Sequence, residues 1–250
     1  MIFSKKTAHS HDKIDALRLI NDDTPFAINE AFRALYTKVI YLPIIDKCKK
    51  IAVTSSVSGE GKTYLATNLA ISLAKNSDNK KIVLIDLDMR KPRISRVLSK
   101  HLNKTKSRNG MSEYLAGIDS EPNVISTDVP NLSVILAGKE NANALGLVTS
   151  VRMSELLEKL SLEFDYIIFD TPPVSLVSDA LALSDKIHGY IIAARSEYSD
   201  INNLSHAVEL IQNVNGVIFG TVLTAVNPKS IGNSSILNHS ADYYKSQGEN

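Results

Sequence analysis

Cysteine is almost absent from the sequence, and this shortage excludes two kinds of structure. Cys48 is the one cysteine among 250 residues. A single cysteine forms neither an internal disulfide nor a cysteine-based zinc site, and its scarcity is typical of a reducing compartment. We therefore expect Cys48 to be a free structural thiol that packs as a small apolar side chain.

The sequence also lacks an excess of charge of one sign and a long apolar run. Its 28 basic and 27 acidic residues leave a formal net charge of +1, so no long-range field attracts nucleic acid or an anionic membrane. No apolar run approaches the ~20 residues that cross a bilayer, and residues 1–12 lack the apolar core of a signal peptide. We expect a soluble, cytoplasmic protein that binds no nucleic acid and needs a partner for any work at a membrane.

Short apolar runs alternate with amphipathic stretches from residue 51 onward. The runs are rich in β-branched residues and mostly lack polar alternation, which indicates strands covered on both faces. They span residues 51–53, 82–85, 132–136, 166–169, 190–193 and 217–223. Helical spacing occurs at residues 28–41, 62–75, 151–163 and 202–214. The alternation predicts an α/β fold, a doubly wound and mostly parallel sheet with helices on both faces.

Composition divides the chain into three parts. Residues 1–24 and 228–250 are rich in polar and small residues, which indicates a flexible N-terminal arm and a flexible C-terminal tail. Residues 25–227 hold all of the predicted strands and helices. We expect this middle part to form a single α/β domain.

A glycine-containing loop joins the first predicted strand to the helix after it and reads Ser56-Val57-Ser58-Gly59-Glu60-Gly61-Lys62-Thr63. This is the P-loop spacing, in the strand–loop–helix context in which the motif binds phosphate. The glycines let backbone N–H groups turn toward phosphate oxygens, and the helix start adds its dipole. Lys62 would contact the β- and γ-phosphates of ATP, and Thr63 would bind Mg²⁺. The predicted nucleotide-binding residues are Ser58, Gly59, Glu60, Gly61, Lys62, Thr63 and Tyr64.

Three carboxylates stand at the carboxyl ends of two predicted strands. Asp86 and Asp88 lie two residues apart, on one side of an extended chain. Asp170 ends the apolar run 166–169, as in a Walker-B strand, and parallel strands bring such ends to one edge of a sheet. Because Mg²⁺ takes one or two protein carboxylates, we assign Asp88 and Asp170, with Thr63, to the metal. Asp86 is assigned to general-base catalysis, although the sequence leaves the division between Asp86 and Asp88 open.

Three motifs together resemble those of one family. The P-loop, Asp86-x-Asp88-x-Arg90 and Asp170-Thr171-Pro172-Pro173 occur in this order. They are similar to the motifs of the bacterial tyrosine kinases that control capsule and exopolysaccharide synthesis, a branch of the P-loop NTPases, and in particular to the stand-alone cytoplasmic subunit. The similarity covers most of residues 25–245. The middle motif discriminates, because ordinary P-loop ATPases lack it.

The resemblance implies a tyrosine autokinase that uses ATP and Mg²⁺ and regulates polysaccharide synthesis and chain length. In the family such kinases transfer the γ-phosphate to tyrosines in the C-terminal tail of another subunit. The positions that the resemblance assigns to catalysis are Lys62, Asp86, Asp88 and Arg90, and the acceptor positions are Tyr243 and Tyr244. The resemblance places Arg90 near the phosphates or at a subunit contact.

The resemblance also implies partners. The family is switched on by the cytosolic end of a membrane-embedded polysaccharide co-polymerase, which would recruit the chain to the inner face of the cell membrane. A cognate tyrosine phosphatase would reverse the reaction. Subunits of the family form a ring through a helix, where Glu30 and Arg33 fit the family pattern and Tyr36 departs from it.

Two alternatives stay open at this point. Partitioning and division-site ATPases share the sheet and use water as the acceptor, but their P-loop carries a lysine where this chain has Val57. A nucleotide-gated scaffold of the polysaccharide machinery would need no acceptor, and the tail offers only Tyr243 and Tyr244. Thr224-Ala225 stands where the family commonly has Asn-Lys beside the adenine, so the residues that contact the base are not predicted.

Overall fold

The computed structural model describes residues 19–21, 23–103 and 109–226. The predicted acceptors Tyr243 and Tyr244 lie outside the described residues, and their role stays a prediction. The division into an arm, a domain and a tail also stays a prediction, because most of both terminal parts lies outside the described residues.

Seven strands form one sheet in the described part of the chain. They are β1 (Lys49–Ser55), β2 (Ile82–Asp86), β3 (Ile125–Ser126), β4 (Leu132–Ile135), β5 (Tyr166–Asp170), β6 (Gly189–Arg195) and β7 (Ile218–Thr224). Their order across the sheet is β3-β4-β2-β5-β1-β6-β7. All neighbouring strands are parallel except β3 and β4, which are antiparallel. The mostly parallel sheet predicted from the alternating pattern is confirmed.

Helices connect the strands. They are α1 (Phe26–Ile40), α2 (Lys62–Asn76), α3 (Ile94–Val97), α4 (Met111–Leu115), α5 (Ala144–Val148), α6 (Val151–Glu163) and α7 (Ile201–Asn213), with a short 3₁₀ helix at Leu181–Leu183. Among the residues with described structure, no helix is long and apolar enough to cross a membrane. The four helices with a clear apolar period appear within two residues of their predicted ends, whereas the shorter ones carry too few turns to show a period.

The middle of the sheet is buried on both faces. Every residue of β2 and β5 is buried, which matches their continuous apolar runs. Successive residues of β1 alternate between two separate apolar clusters: Ala52 belongs to one, and Ile51 and Val53 to the other. Because strand side chains alternate between faces, the two clusters are the cores on opposite sides of the sheet. The free thiol of Cys48 is buried, as expected, and burial raises its pKa.

β7 differs from the covered strand that its apolar run predicts. It lies at the edge of the sheet, and Leu223 is 56% exposed. The register shifts between Tyr190 and Ile191, which pair with Ile218 and Gly220 respectively, so one residue of β7 has no opposite neighbour. Gly220 has a φ of +152°, a backbone conformation that favours glycine. The strand therefore bulges near its start, at Phe219.

The segment before α1 packs against the domain. Leu19 and Ile20 are buried, and the backbone N–H of Ile20 donates to Asn68 Oδ1 at 2.7 Å. On α1, Tyr36 Oη donates to the carbonyl of Asn76 at 2.8 Å. These contacts fasten α1 and the residues before it to α2, the helix that follows the phosphate loop.

Candidate active site

The phosphate loop comprises residues 56–61, between the end of β1 and the start of α2. Gly59 and Gly61 have φ values of +92° and +87°, in the left-handed region that glycine adopts at little cost. A Cβ at Gly61 would lie 2.9 Å from Thr224 Oγ1, so a larger residue does not fit there. Gly61 is the N-cap of α2 and offers no side-chain cap, which leaves the N–H groups of the first turn for an anion.

Four predicted site residues meet at the edge of the sheet where the parallel strands end, which we call the carboxyl edge. Asp86 and Asp170 are register partners on β2 and β5, and Asp88 follows two residues after Asp86. Lys62 Nζ donates to Asp88 Oδ2 at 2.8 Å and lies 4.0 Å from Asp170 Oδ1. All four side chains are buried. The structure thus brings one lysine and three carboxylates together directly beside the phosphate loop.

Burial and mutual charge shift the pKa values of this group. Burial, followed by the charge of Asp170, raises the pKa of Asp86 to about 8, against a smaller opposing effect of the Ile94 N–H. Burial likewise raises the pKa of Asp170, while the charge of Lys62 and the nearby Thr63 hydroxyl act to lower it. Burial disfavours the charged form of Lys62, but the charges of Asp170 and Asp88 more than offset it and raise its pKa. The site holds excess negative potential that a cation would relieve.

Asp86 and Asp170 differ in their hydrogen bonds. Asp86 Oδ1 accepts from the Asp88 N–H at 3.2 Å, and Asp86 Oδ2 accepts from the N–H groups of Arg93 and Ile94 at 3.3 and 3.1 Å. Both carboxylate oxygens of Asp170 are buried without a hydrogen bond from any described residue. A buried carboxylate in that state is costly, and a bound cation would compensate it.

The donor set fits Mg²⁺. Within the described ranges, no three His, Cys, Asp or Glu side chains form a ready-made cation cage. Mg²⁺ does not require one, because it usually keeps several waters and binds one or two carboxylates together with substrate phosphates. Asp170 with its unsatisfied oxygens, Asp88 and the Thr63 hydroxyl supply oxygen ligands of the type that this ion prefers.

Three predicted site residues are engaged in contacts within the protein. Arg90 forms a bidentate pair with Asp179, with Nε–Oδ2 and Nη2–Oδ1 distances of 2.6 and 3.1 Å. The Tyr64 ring packs edge-on against Phe32, with centroids 5.9 Å apart, so its side chain contacts α1. The Glu60 carboxylate is fully buried within the phosphate loop. Tyr64 and Glu60 would therefore contact a nucleotide through their backbone N–H groups.

Four side chains that the sequence did not predict donate hydrogen bonds to the phosphate loop. Arg195 ends β6, Tyr198 and Ser199 lie in the loop from β6 to α7, and Thr224 ends β7. Each of the four side chains contacts the phosphate loop. Their one signal in the sequence is position: they follow apolar strands, as Asp86 and Asp170 do. Serine, tyrosine and threonine after a strand are too common to stand out without the fold.

Comparisons with known proteins identify the family and the fold. The AAA domain family matches residues 48–219. Over 199 residues the chain is 32% identical to tyrosine-protein kinase CpsD of Streptococcus agalactiae, which covers 79% of this chain and 82% of the relative. Among solved structures, the chimerical protein CapA2B2 has a TM-score of 0.74 at 26% identity, with coverage of 84% of this chain and 89% of that chain. The kinase domain of Escherichia coli tyrosine kinase ETK has a TM-score of 0.70 at 26% identity, with coverage of 80% and 77%.

Proposed function

The chain belongs to the bacterial tyrosine-protein kinases with an AAA domain, and from this premise we propose that it transfers the γ-phosphate of ATP to tyrosine hydroxyls. The acceptors are tyrosines of other copies of the same chain, and the reaction regulates capsule or exopolysaccharide synthesis. One observation carries the proposal: Lys62 Nζ lies 2.8 Å from Asp88 Oδ2 and 4.0 Å from Asp170 Oδ1, beside the phosphate loop.

The residues divide the work of phosphoryl transfer between binding and charge neutralisation. The N–H groups of the loop and the start of α2 bind the β- and γ-phosphates, and Lys62 moves from Asp88 to a phosphate oxygen. Thr63, Asp88 and Asp170 would hold Mg²⁺. When bound, this ion neutralises charge that develops on the phosphoryl oxygens. Positioning of this kind supplies most of the rate in phosphoryl transfer.

Asp86 is the group that we assign to the proton of the acceptor hydroxyl. Backbone N–H groups of Asp88, Arg93 and Ile94 fix its carboxylate, and its register partner Asp170 places it beside the metal ligands. A base held in this way needs only hydrogen-bond reach to the incoming hydroxyl. Arg90, which is held by Asp179, orients the segment that carries Asp86 and Asp88.

The acceptors and partners follow from the family. We assign Tyr243 and Tyr244 as acceptors. A membrane-embedded co-polymerase of the CapA kind activates the chain and recruits it to the inner face of the membrane, and a cognate tyrosine phosphatase reverses the reaction. Copies of the chain assemble through α1, where Glu30 and Arg33 pair with each other at 3.0 Å on the helix surface and are positioned to exchange partners with a second copy.

The test is phosphotyrosine formation by the full chain. Purified protein is incubated with ATP, Mg²⁺ and the cytosolic segment of a candidate activator, and the C-terminal peptide is analysed by mass spectrometry. We expect phosphate on Tyr243 or Tyr244, its loss in Lys62→Met, and its retention in Lys75→Met, which changes an exposed lysine at the other end of α2. Unchanged phosphorylation in Lys62→Met would refute the mechanism. ATP hydrolysis without any phosphotyrosine, unaffected by Tyr243→Phe and Tyr244→Phe, would identify water as the acceptor.

A further inference from the structure

Three successive carbonyls of the phosphate loop accept hydrogen bonds from side chains at or just after the ends of β6 and β7. Tyr198 Oη donates to the Ser58 carbonyl at 3.1 Å, and Arg195 Nη1 donates to the Gly59 carbonyl at 3.3 Å. Thr224 Oγ1 donates to the Glu60 carbonyl at 2.7 Å. Three successive carbonyls are thus held toward the ends of β6 and β7.

This fixes the direction of the next three N–H groups. In a planar trans peptide, the C=O of one residue and the N–H of the next point to opposite sides. Carbonyls that point outward at residues 58, 59 and 60 therefore turn the N–H groups of Gly59, Glu60 and Gly61 inward. Those are the N–H groups that would contact phosphate oxygens. The bonds on the outside of the loop determine its binding surface on the inside.

A buried carboxylate connects the same loop to the start of α7. Glu60 accepts hydrogen bonds from Ser56 Oγ and the Val57 N–H, each at 2.9 Å, and from Ser199 Oγ. Ser199 Oγ in turn accepts from the backbone N–H of Arg195 at 2.7 Å. A carboxylate close to an anion-binding loop opposes phosphate binding by Coulomb repulsion. The Glu60 carboxylate therefore has a structural role in the loop.

We propose that Ser199, Glu60 and Thr224 are positioning residues for the nucleotide's phosphates: they hold the phosphate loop in its binding conformation before the nucleotide arrives. We call Arg195, Tyr198, Ser199 and Thr224 the outer brace. The inference rests on the proposed nucleotide binding and adds that the geometry of the loop is set by the ends of β6 and β7. Preorganisation of this kind lowers the cost of binding.

The brace acts on N–H groups that would bind the β-phosphate, which ATP and ADP share. Its loss should therefore weaken both nucleotides equally and raise KM for ATP while kcat changes little, since interactions made equally in ground and transition states act on KM. A residue needed only for folding would instead lower the amount of active protein and leave the KM of the remainder unchanged.

The experiment measures Mg²⁺–ADP affinity of the full chain by isothermal titration calorimetry. We expect Ser199→Ala and Thr224→Val to weaken ADP roughly tenfold each, because each removes a hydrogen bond to a buried loop acceptor. Ser199→Thr and Thr224→Ser keep the hydroxyl and should bind within about twofold of wild type. Ser205→Ala, an exposed serine on α7, is the matched control. The melting temperature of each nucleotide-free variant identifies any that fail to fold.

The outcomes separate this inference from the proposed function. If Ser199→Ala and Thr224→Val bind ADP as tightly as Ser205→Ala does, the outer brace does not position the phosphate loop. That result would overturn the proposal, whatever the kinase activity. If both variants lose ADP affinity while the wild type forms no phosphotyrosine, the brace stands and the kinase proposal fails. If Ser199→Ala does not fold, the pair Thr224→Val and Thr224→Ser decides alone.

Discussion

The carboxyl edge of the sheet has two halves that differ in how fully their polar groups are hydrogen-bonded. At the ends of β1, β2 and β5, Lys62, Asp88 and Asp170 are buried charges, and Asp170 receives no hydrogen bond from the described residues. At the ends of β6 and β7, the outer brace satisfies each loop carbonyl that it faces. The half with the metal ligands that we propose is incomplete, because Asp170 lacks hydrogen-bond donors, and the half that contacts the phosphate loop is complete.

The largest expected effect tests the incomplete half. Asp170→Asn removes one metal ligand and one unsatisfied charge at once. We expect the phosphorylation rate to fall by roughly a hundredfold or more, because metal binding is worth several kcal/mol in such reactions. The metal-free protein should become more stable by ~1–3 kcal/mol, because a neutral amide replaces a carboxylate whose charged form burial disfavours. Rates are measured on phosphotyrosine, and stability by urea unfolding in EDTA. Lower stability of Asp170→Asn would break the comparison.

The second prediction concerns pH. Asp86 has a pKa raised from 3.8 to about 8, so between these values the unfolded chain has lost a proton that the folded chain keeps. Folding stability of the metal-free protein therefore falls as pH rises, at ~1.4 kcal/mol per pH unit at most, or ~2 kcal/mol between pH 6 and pH 7.5. Asp86 and Asp170 titrate as a pair. Urea unfolding across this range measures the slope.

A matched pair of variants assigns that slope. Asp86→Asn should flatten the dependence on pH. Asp165→Asn should not, because the pKa of Asp165 is lowered and its contribution is constant above the unfolded pKa. A slope as steep in Asp86→Asn as in the wild type would show that Asp86 does not cause the dependence on pH, whereas a reduced slope is the expected remainder from Asp170, whose pKa burial also raises.

The third prediction concerns Arg90, whose ion pair connects the segment after β2 to the loop after β5. Arg90→Lys loses the bidentate geometry toward Asp179 and should lower the free energy of unfolding by about 1 kcal/mol, because the partly exposed guanidinium is screened by solvent. Urea unfolding of Arg90→Lys, Asp179→Asn and the double variant completes the cycle. Additive effects would show that the two side chains are not coupled.

The smallest expected effect lies in the complete half. Tyr198→Phe removes one hydrogen bond to the Ser58 carbonyl and keeps the ring against Arg195, whose guanidinium lies 5.4 Å from the ring centroid. Because Tyr198 is more than half exposed, water replaces the lost donor. ADP affinity should fall by only about threefold, measured by calorimetry. Tyr41→Phe, at an exposed position directly after the last residue of α1, should have no effect. A loss of ADP affinity of roughly a hundredfold in Tyr198→Phe would contradict this division of the edge.

The sequence predicts the charged half better than the supporting half. Lys62, Asp86, Asp88 and Asp170 are found because a P-loop spacing and acids at the ends of apolar strands are rare patterns with a chemical reason. Arg195, Tyr198, Ser199 and Thr224 are missed because each makes a single contact with a loop that is far away in sequence. Glu60 shows the same limit: its place in the motif predicts the nucleotide, but only the fold shows that its carboxylate bonds to Ser56 and Ser199.

Strand pattern has similar limits. Period and composition predict the buried centre of the sheet, where β2 and β5 have neighbours on both sides. The pattern does not reveal that β7 is an edge strand, because its apolar residues resemble those of a central one. β3 is two residues long, which is too short to repeat the two-residue alternation of a strand. The difference between Asp86 and Asp170 also depends on backbone N–H groups supplied by the turn before α3, which no side-chain pattern encodes.

The bulge in β7 affects whether copies of this chain can aggregate by strand addition. An edge strand with exposed apolar residues such as Leu223 is a template onto which a stray strand can add, and from there fibrous aggregates grow. The register shift opposite Tyr190 and Ile191 and the conformation of Gly220 interrupt the regular spacing of backbone donors and acceptors that such growth needs. Glycine at position 220 therefore keeps the edge strand irregular, and we expect its replacement by a β-branched residue to favour the addition of a second strand before it alters any step of chemistry.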